Sequence, residues 1–476
     1  MQVRYEFNQR DLGHGAAATM MHPAVAVALV ITVVFLLWRP RKYMLAALIL
    51  CTFLVPHDEV LVIAGAHFYV RLIVALAGFV RVVTGKFQIA GGLNNIDKLF
   101  IAWASYRVIA ATITNWPTGG PEQAAFYLQA ICGYFLLRYL IRDQEDIITA
   151  AKSFAVATLI LGVLMVFENR LRVNLFGAYI GGVTAVPEIR NGTARAQAVF
   201  SHSILAGCFG ATLLPLFVWL WSKKKMFGVL GIVGSTLMVM TTESSTPVMS
   251  YAGAILALCL WPIRGSMRLV RWVIVAGFLA TALMMNAPVW YVIAHIDPVG
   301  GSGGWDRAML LDVCIKHFGD WWLIGTNQNG SWGYDMWDQS DQFVAEAEVG
   351  GLFCLVCFIS IVSRAFGWLG NMRKKAEQKD DKEKWLCWCL GCVLFAHVLS
   401  YFGVSYFDQS QMWWYAFLAM VSAVTIPLRL PDATSEPAKS MKTDFTQFRK
   451  PAQAGAGSAP SRWSSLHSMH DKNSAK

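Results

Sequence analysis

Two arginine-bearing stretches hold residue types suited to a phosphorylated, hydroxyl-rich substrate. Arg195 stands in RNGTARAQAVFSHSILAGCFG, directly before an apolar run. A guanidinium donates two parallel hydrogen bonds and stays charged, which suits a diphosphate held at an interface. Ordinary lipid headgroups are met by the same chemistry. His202 follows seven residues later, and on a helix that spacing puts both side chains on one face, two turns apart. An imidazole there can take a proton, orient a hydroxyl, or hydrogen-bond between helices.

The second stretch is a polar island from Asn286 to Val349, which includes GGWDRAMLLDVCIKHFGDWWLIGTNQNGSWGYDMWDQSDQFVAEAEVGG. It carries six tryptophans, five of them in that segment, and nine acidic residues, against only Arg307 and Lys316 as basic partners. Arg307 opens WDRAMLLDVCIKHF, which reads as an amphipathic helix with Leu310, Leu311, Cys314 and Phe318 on one side. Such an arginine pairs with a carboxylate, meets a diphosphate, or does both. Further on, Trp337, Asp338, Gln339, Asp341 and Gln342 mix an aromatic ring with acids and amides, the combination that stacks on a pyranose and binds its hydroxyls. An aromatic belt at a membrane interface accounts equally for Trp321, Trp322, Trp332 and Trp337.

The elements that must position these residues are membrane spans. The 476-residue chain is 56% hydrophobic and 15% charged, with a mean hydropathy of +0.46. A soluble protein would carry about a quarter charged residues. Apolar runs lie near 23–38, 43–56, 59–80, 99–115, 124–141, 147–167, 198–221, 226–242, 246–263, 270–286, 349–366, 385–404 and 412–428. The predicted fold class is therefore all-α, a polytopic protein of about 12–13 spans with short helices in a large outer loop. Gly207 and Pro215 are expected not to break the seventh run.

The net charge of +10 suggests nucleic acid, but its distribution does not. Basic clusters at Arg39/Arg41/Lys42, Arg81/Lys86/Lys98, Arg138/Arg142, Lys223–Lys225, Arg264/Arg268/Arg271 and Arg373–Lys375 fall on alternate connections, which assigns those to the cytoplasm. The first run reads as an uncleaved anchor with its N-terminus outside. Residues 1–428 form the membrane domain, and 429–476 read as a disordered cytoplasmic tail. Two outer loops remain, 168–197 and 286–348. The first holds Arg170, Arg172, Arg190 and Arg195, where orientation rules would deplete basic residues. Cys354/Cys357 and Cys387/Cys389/Cys392 have metal-like spacing, yet they sit in apolar runs where small buried side chains are the plainer reading. Walker, dinucleotide, HExxH and GxSxG patterns are absent from the sequence.

These residues resemble the O-antigen ligase and polymerase superfamily of bacterial envelope glycosyltransferases. RAQAVFSHSILAG is similar to the family's arginine segment entering a mid-chain helix. WDRAMLLDVCIKHFGDWWLIGTNQNG is similar to the start of its large periplasmic loop, and DQSDQFVAEAEVGGLFCLV to the end. The resemblance covers roughly residues 150–425. It implies an inverting transfer, free of metal and cofactor, of a glycan from an undecaprenyl-diphosphate carrier on the periplasmic face of the inner membrane. The acceptor is a saccharide or a lipid-linked saccharide, and nucleic acid has no part. Arg195 and Arg307 map to the phosphate-binding arginines. Asp338, Asp341 and His202, in that order, are candidates to align or deprotonate the acceptor. Arg190, Lys316, Trp337, Gln339 and Gln342 are the expected substrate contacts.

Two departures favour polymerase over ligase. Gln339 stands eleven residues before Gly350, where ligases carry a histidine. TTESSTP at 241–247 lacks the family's second arginine. Ligation onto lipid A core stays open, as does a flippase for the same lipid-linked sugar. A flippase calls for ionisable groups at mid-membrane and an internal repeat, and the apolar runs read as mostly clean.

Overall fold

The computed structural model describes residues 19–63, 66–85, 87–116, 120–296, 298–299, 303–333, 336, 340–379 and 383–429. Most of them are helical, and each expected apolar run contains a helix. The first are α1 (Pro23–Trp38) and α2 (Arg41–Leu54), divided at Pro40, which lacks the N–H to continue a helix but suits a helix start. A hairpin of β1 (Val60–Ile63) and β2 (Ala66–Tyr69) then leads into α3 (Val70–Thr84). The run expected at 59–80 therefore begins as strand. β-branched Val60, Val62 and Ile63 favour that conformation, although hydropathy alone does not separate it from helix.

Next come α4 (Asn95–Thr114), α5 (Gly120–Leu140), α6 (Gln144–Leu171) and the short α7 (Leu175–Tyr179). A second hairpin, β3 (Ile189–Arg190) with β4 (Thr193–Ala194), precedes α8 (Ser203–Lys223), α9 (Lys225–Thr241), α10 (Ser245–Cys259) and α11 (Met267–Met284). The polar island folds partly into α12 (Gly304–Lys316) and α13 (Phe318–Trp321). The last elements are α14 (Gln342–Gln378), α15 (Glu383–Tyr401), α16 (Gln409–Val424) and α17 (Ile426–Arg429). The expected tail lies outside the described residues beyond Arg429.

Five helical segments are long and apolar enough to cross a membrane: Gln144–Leu171, Ser203–Lys223, Trp261–Met284, Gln342–Gln378 and Glu383–Tyr401. The chain is thus a mainly helical protein with membrane-spanning character. α8 is enclosed by α9, α10 and α15, and it continues through Pro215 as expected. α6 and α9 cross closely because of Gly234, where an added Cβ would meet the Leu159 amide nitrogen at 2.5 Å.

Arg138, expected in a basic cytoplasmic connection, is instead fully buried in α5. It pairs with Asp97 of α4 at 2.8 Å, and the Tyr134 hydroxyl donates to the same carboxylate at 2.5 Å. A lone charge at that depth would be costly, and the pairing compensates it.

The connections α2–α3, α6–α8, α9–α10, α11–α14 and α15–α16 gather at one end of the bundle. The His57 amide donates to the Val199 carbonyl (3.1 Å), that of Asp58 to Gly182 (3.2 Å), and that of Ala196 to Thr241 (3.0 Å). The Gln409 side-chain Nε2 donates to the carbonyls of Val55 (3.2 Å) and Val199 (3.3 Å). The polar island docks on α14 at its kink, where Gly351 adopts φ 65° and a Cβ would strike the Leu323 carbonyl oxygen at 2.6 Å. Only glycine permits both the turn and the approach. The Leu352 amide then donates to the Trp322 carbonyl at 2.9 Å.

Candidate functional site

Arg195 owes its position to the backbone on either side of it. Before it, Asn191 (φ 51°) and Gly192 (φ 81°) form the tight turn of the β3–β4 hairpin, the positive-φ pair that an Asn-Gly sequence favours. After it, the buried Glu168 carboxylate at the end of α6 accepts the amides of Gln197 (3.0 Å) and Ala198 (2.8 Å), and the Asn174 side chain (3.2 Å). Ala198 is held at φ 51°, a strained value for a residue with a Cβ.

The Arg195 guanidinium is 2% exposed. Its Nη1 donates to Glu188 at 2.5 Å and its Nη2 to the Ser244 hydroxyl at 2.6 Å, while Nε is buried without a partner. Burial lowers its pKa and Glu188 opposes that shift. Arg190 and then Arg307 add to the lowering. Charges from both sequence stretches, Arg190 and Arg307, thus act on Arg195. Arg190 is half-buried and enters no ion pair among the described residues.

Arg195 and His202 do not share a helix face. Residues 195–202 are irregular and α8 starts at Ser203, so the expected two-turn spacing is corrected. The segment stays non-helical because Glu168 captures its amides, an alternative to helix that spacing cannot reveal. His202 is the N-cap of α8, its Nδ1 accepting the Ile204 amide at 3.2 Å. Burial, with the charge of Arg195 and smaller contributions from Arg190 and Arg307, lowers its pKa to about 4, while Glu188 pulls the other way. At neutral pH the ring is uncharged with its proton on Nε2. It is thus built to donate a hydrogen bond rather than to act as a base.

Arg307 lies on α12, whose buried face is Ala308, Leu310 and Cys314; Leu311 is half-buried. Phe318 belongs to the separate α13 and is 46% exposed, so the expected apolar side ends at Cys314. Arg307 also acts on Asp341, the N-cap of α14. One oxygen of Asp341 accepts the amides of Phe343 (2.7 Å) and Val344 (3.0 Å). The other is buried with no hydrogen-bond partner. Burial raises its pKa to about 7, although those two amides and Arg307 pull the other way. A carboxylate titrating near neutrality with a free oxygen is suited to exchange a proton.

The remaining expected residues divide. Lys316 pairs with Asp312 at 2.6 Å and is 69% exposed. Gln342 is engaged at both ends of its amide, donating to Glu346 (2.7 Å) and accepting from the Tyr406 amide (2.5 Å). Trp337, Asp338 and Gln339 lie outside the described residues.

Several polar contacts were not anticipated. Glu346 accepts from Trp103 at 2.6 Å and from Arg107 at 3.1 Å, lining a cleft with Gln342, Tyr406 and Trp414. Arg107 sits inside an apolar run, which was its signal. Arg71 pairs with Asp408 at 3.0 Å and donates to the His57 carbonyl at 3.0 Å, tying the α15–α16 connection to α2–α3. Glu188 and Ser244 carry no signal of their own, because their partner is found only once the hairpin and the α9–α10 connection meet.

Comparison with protein-family models gives no match, and comparison with curated proteins gives none.

Proposed function

We propose that the protein transfers a glycan from an undecaprenyl-diphosphate carrier to a saccharide acceptor, extending a cell-surface or exopolysaccharide. The reaction would take place on the periplasmic face of a bacterial inner membrane. The observation that carries this reading is that Arg190 and Arg307 act together on Arg195 and His202, while Arg307 also acts on Asp341. A diphosphate is already a good leaving group, so the main tasks are holding it and neutralising the charge that develops. The three guanidiniums fit that task. The neutral His202 would donate from Nε2 to a phosphate or sugar oxygen.

In the proposed step the acceptor hydroxyl gives its proton to the free oxygen of Asp341. Its oxygen forms the new bond at the anomeric carbon while the bond to the diphosphate breaks. The electron pair leaves with the carrier diphosphate, beside the arginines. The α11–α14 segment would serve as a lid that brings donor and acceptor together.

A second reading, a transporter of the same lipid-linked sugar, is favoured by ionisable groups that the apolar runs conceal. Arg107–Glu346 and Arg138–Asp97 are ion pairs between helices, and His397 is fully buried in α15. Replacing Arg195 and Arg307 by alanine and following carrier-linked glycans in cells separates the readings. A polymerase defect leaves single repeats on the acceptor, a ligase defect leaves long chains on the carrier, and a transport defect traps units inside. Normal glycans with both substitutions would refute the assigned site.

A further inference from the structure

The contact between Arg195 and Glu188 is unequal. The guanidinium is 2% exposed, whereas the Glu188 side chain is 53% exposed and reaches inward with one oxygen. That carboxylate engages only Nη1, so the two-point fork that arginine favours with anions is not formed. Nε of the same guanidinium remains buried and unsatisfied, an arrangement that is costly until something accepts from it. Arg190, two residues beyond Glu188, contributes a second charge with no ion pair among the described residues. The Glu188 main chain is fixed, because its carbonyl accepts the Arg195 amide at 2.8 Å. Only its side chain is left to move.

A tetrahedral anion of higher charge has the oxygens that Glu188 lacks. It can take the place of Glu188 on Nη1 of Arg195 and still face Arg190. We propose that Glu188 is an internal stand-in for the substrate's anionic group, held on Arg195 until a phosphate-type anion displaces it to solvent. This rests on the reading of Arg195 as a diphosphate site. Such a device compensates a buried cation between turnovers. It also makes the site selective, since a weak monoanion gains little over the carboxylate already there.

The test measures binding of inorganic pyrophosphate to the full-length, detergent-solubilised protein by calorimetry. Wild type is compared with Glu188→Gln, Glu188→Ala and Arg190→Gln. Glu188 is exposed and Arg190 is half-buried, and melting curves of each variant identify any that fails to fold. Removing the competitor should tighten pyrophosphate binding about tenfold or more in both Glu188 variants. It should also allow acetate to compete, which it does poorly with wild type. Tightening in Glu188→Gln, even if wild type binds too weakly to measure, supports the proposal. Equal or weaker binding in the Glu188 variants, with loss in Arg190→Gln, overturns the stand-in while the anion site survives. No pyrophosphate binding in any variant overturns both.

Discussion

Glu168 fixes the place of Arg195 without being among its hydrogen-bond partners. Its carboxylate accepts the amides of Gln197 and Ala198, two and three residues beyond the arginine, and holds Ala198 at positive φ. Glu168→Gln should disturb this, because an amide group turns two of its own hydrogens toward donors. Leaving such a buried amide unpaired costs about 1–3 kcal/mol. Hydrogen exchange across 195–200 should quicken, and transfer should fall tenfold or more, since a shift of about 1 Å in a positioning residue has effects of that order. Unchanged protection would show that Glu168 does not hold the segment.

Asp341 gives a pH dependence with a definite sign. Its pKa is raised to about 7, so the ionised form that acts as a base exists mainly above that value. Transfer should therefore rise with pH through about 7 and level off. Asp341→Asn keeps the helix cap, since asparagine caps as well as aspartate. It should lower kcat by about 10²–10⁴-fold and abolish the rising limb. Because ionising the buried group opposes folding above its unfolded value of 3.8, the same variant should melt higher than wild type at pH 8. A retained rising limb would assign the base to another residue.

Helices were more legible than the site. Runs of apolar residues mark helix positions whatever their partners, so all of the expected runs contain one. What the runs hide is pairing. Arg138 reads as a topological marker but is compensated by Asp97, and Arg107, inside the run at 99–115, meets Glu346 from far along the chain. Arg190, Arg195, His202, Arg307 and Asp341 are singled out by residue type, and charge interactions link Arg190, Arg195 and Arg307 to His202, and Arg307 to Asp341. The route was different, because Glu168 keeps residues 195–202 out of helix and the Asn191-Gly192 turn presents Arg190. Nothing local to Glu188 or Ser244 signals their contact with Arg195.

His202 titrates in the opposite sense to Asp341. Its folded pKa is lowered from 6.5 to about 4, so below pH 6.5 the unfolded chain takes up a proton that the folded protein refuses. Stability from this group is complete above pH 6.5 and is lost as pH falls toward 4, amounting to about 2 kcal/mol after discounting its partial exposure. His202→Asn preserves the cap and lacks the titration. Melting curves between pH 7 and 4.5 should therefore fall less steeply for the variant. An identical slope would mean that other groups govern acid unfolding.

The Arg138–Asp97 pair separates stability from chemistry. It lies where α4 and α5 meet, and the three bonds to Asp97 from Arg138 Nε, Arg138 Nη2 and Tyr134 leave that carboxylate well compensated. Removing one partner strands the other in a buried setting, which costs about 3–5 kcal/mol. Arg138→Ala should thus lower the melting temperature sharply. The double variant Arg138→Met, Asp97→Leu, which removes both charges and keeps apolar volume, should recover most of the loss. Neither should change pyrophosphate affinity in the folded fraction, because neither is among the hydrogen-bond partners of Arg195. A loss of affinity in the double variant would place this pair in communication with the arginine site.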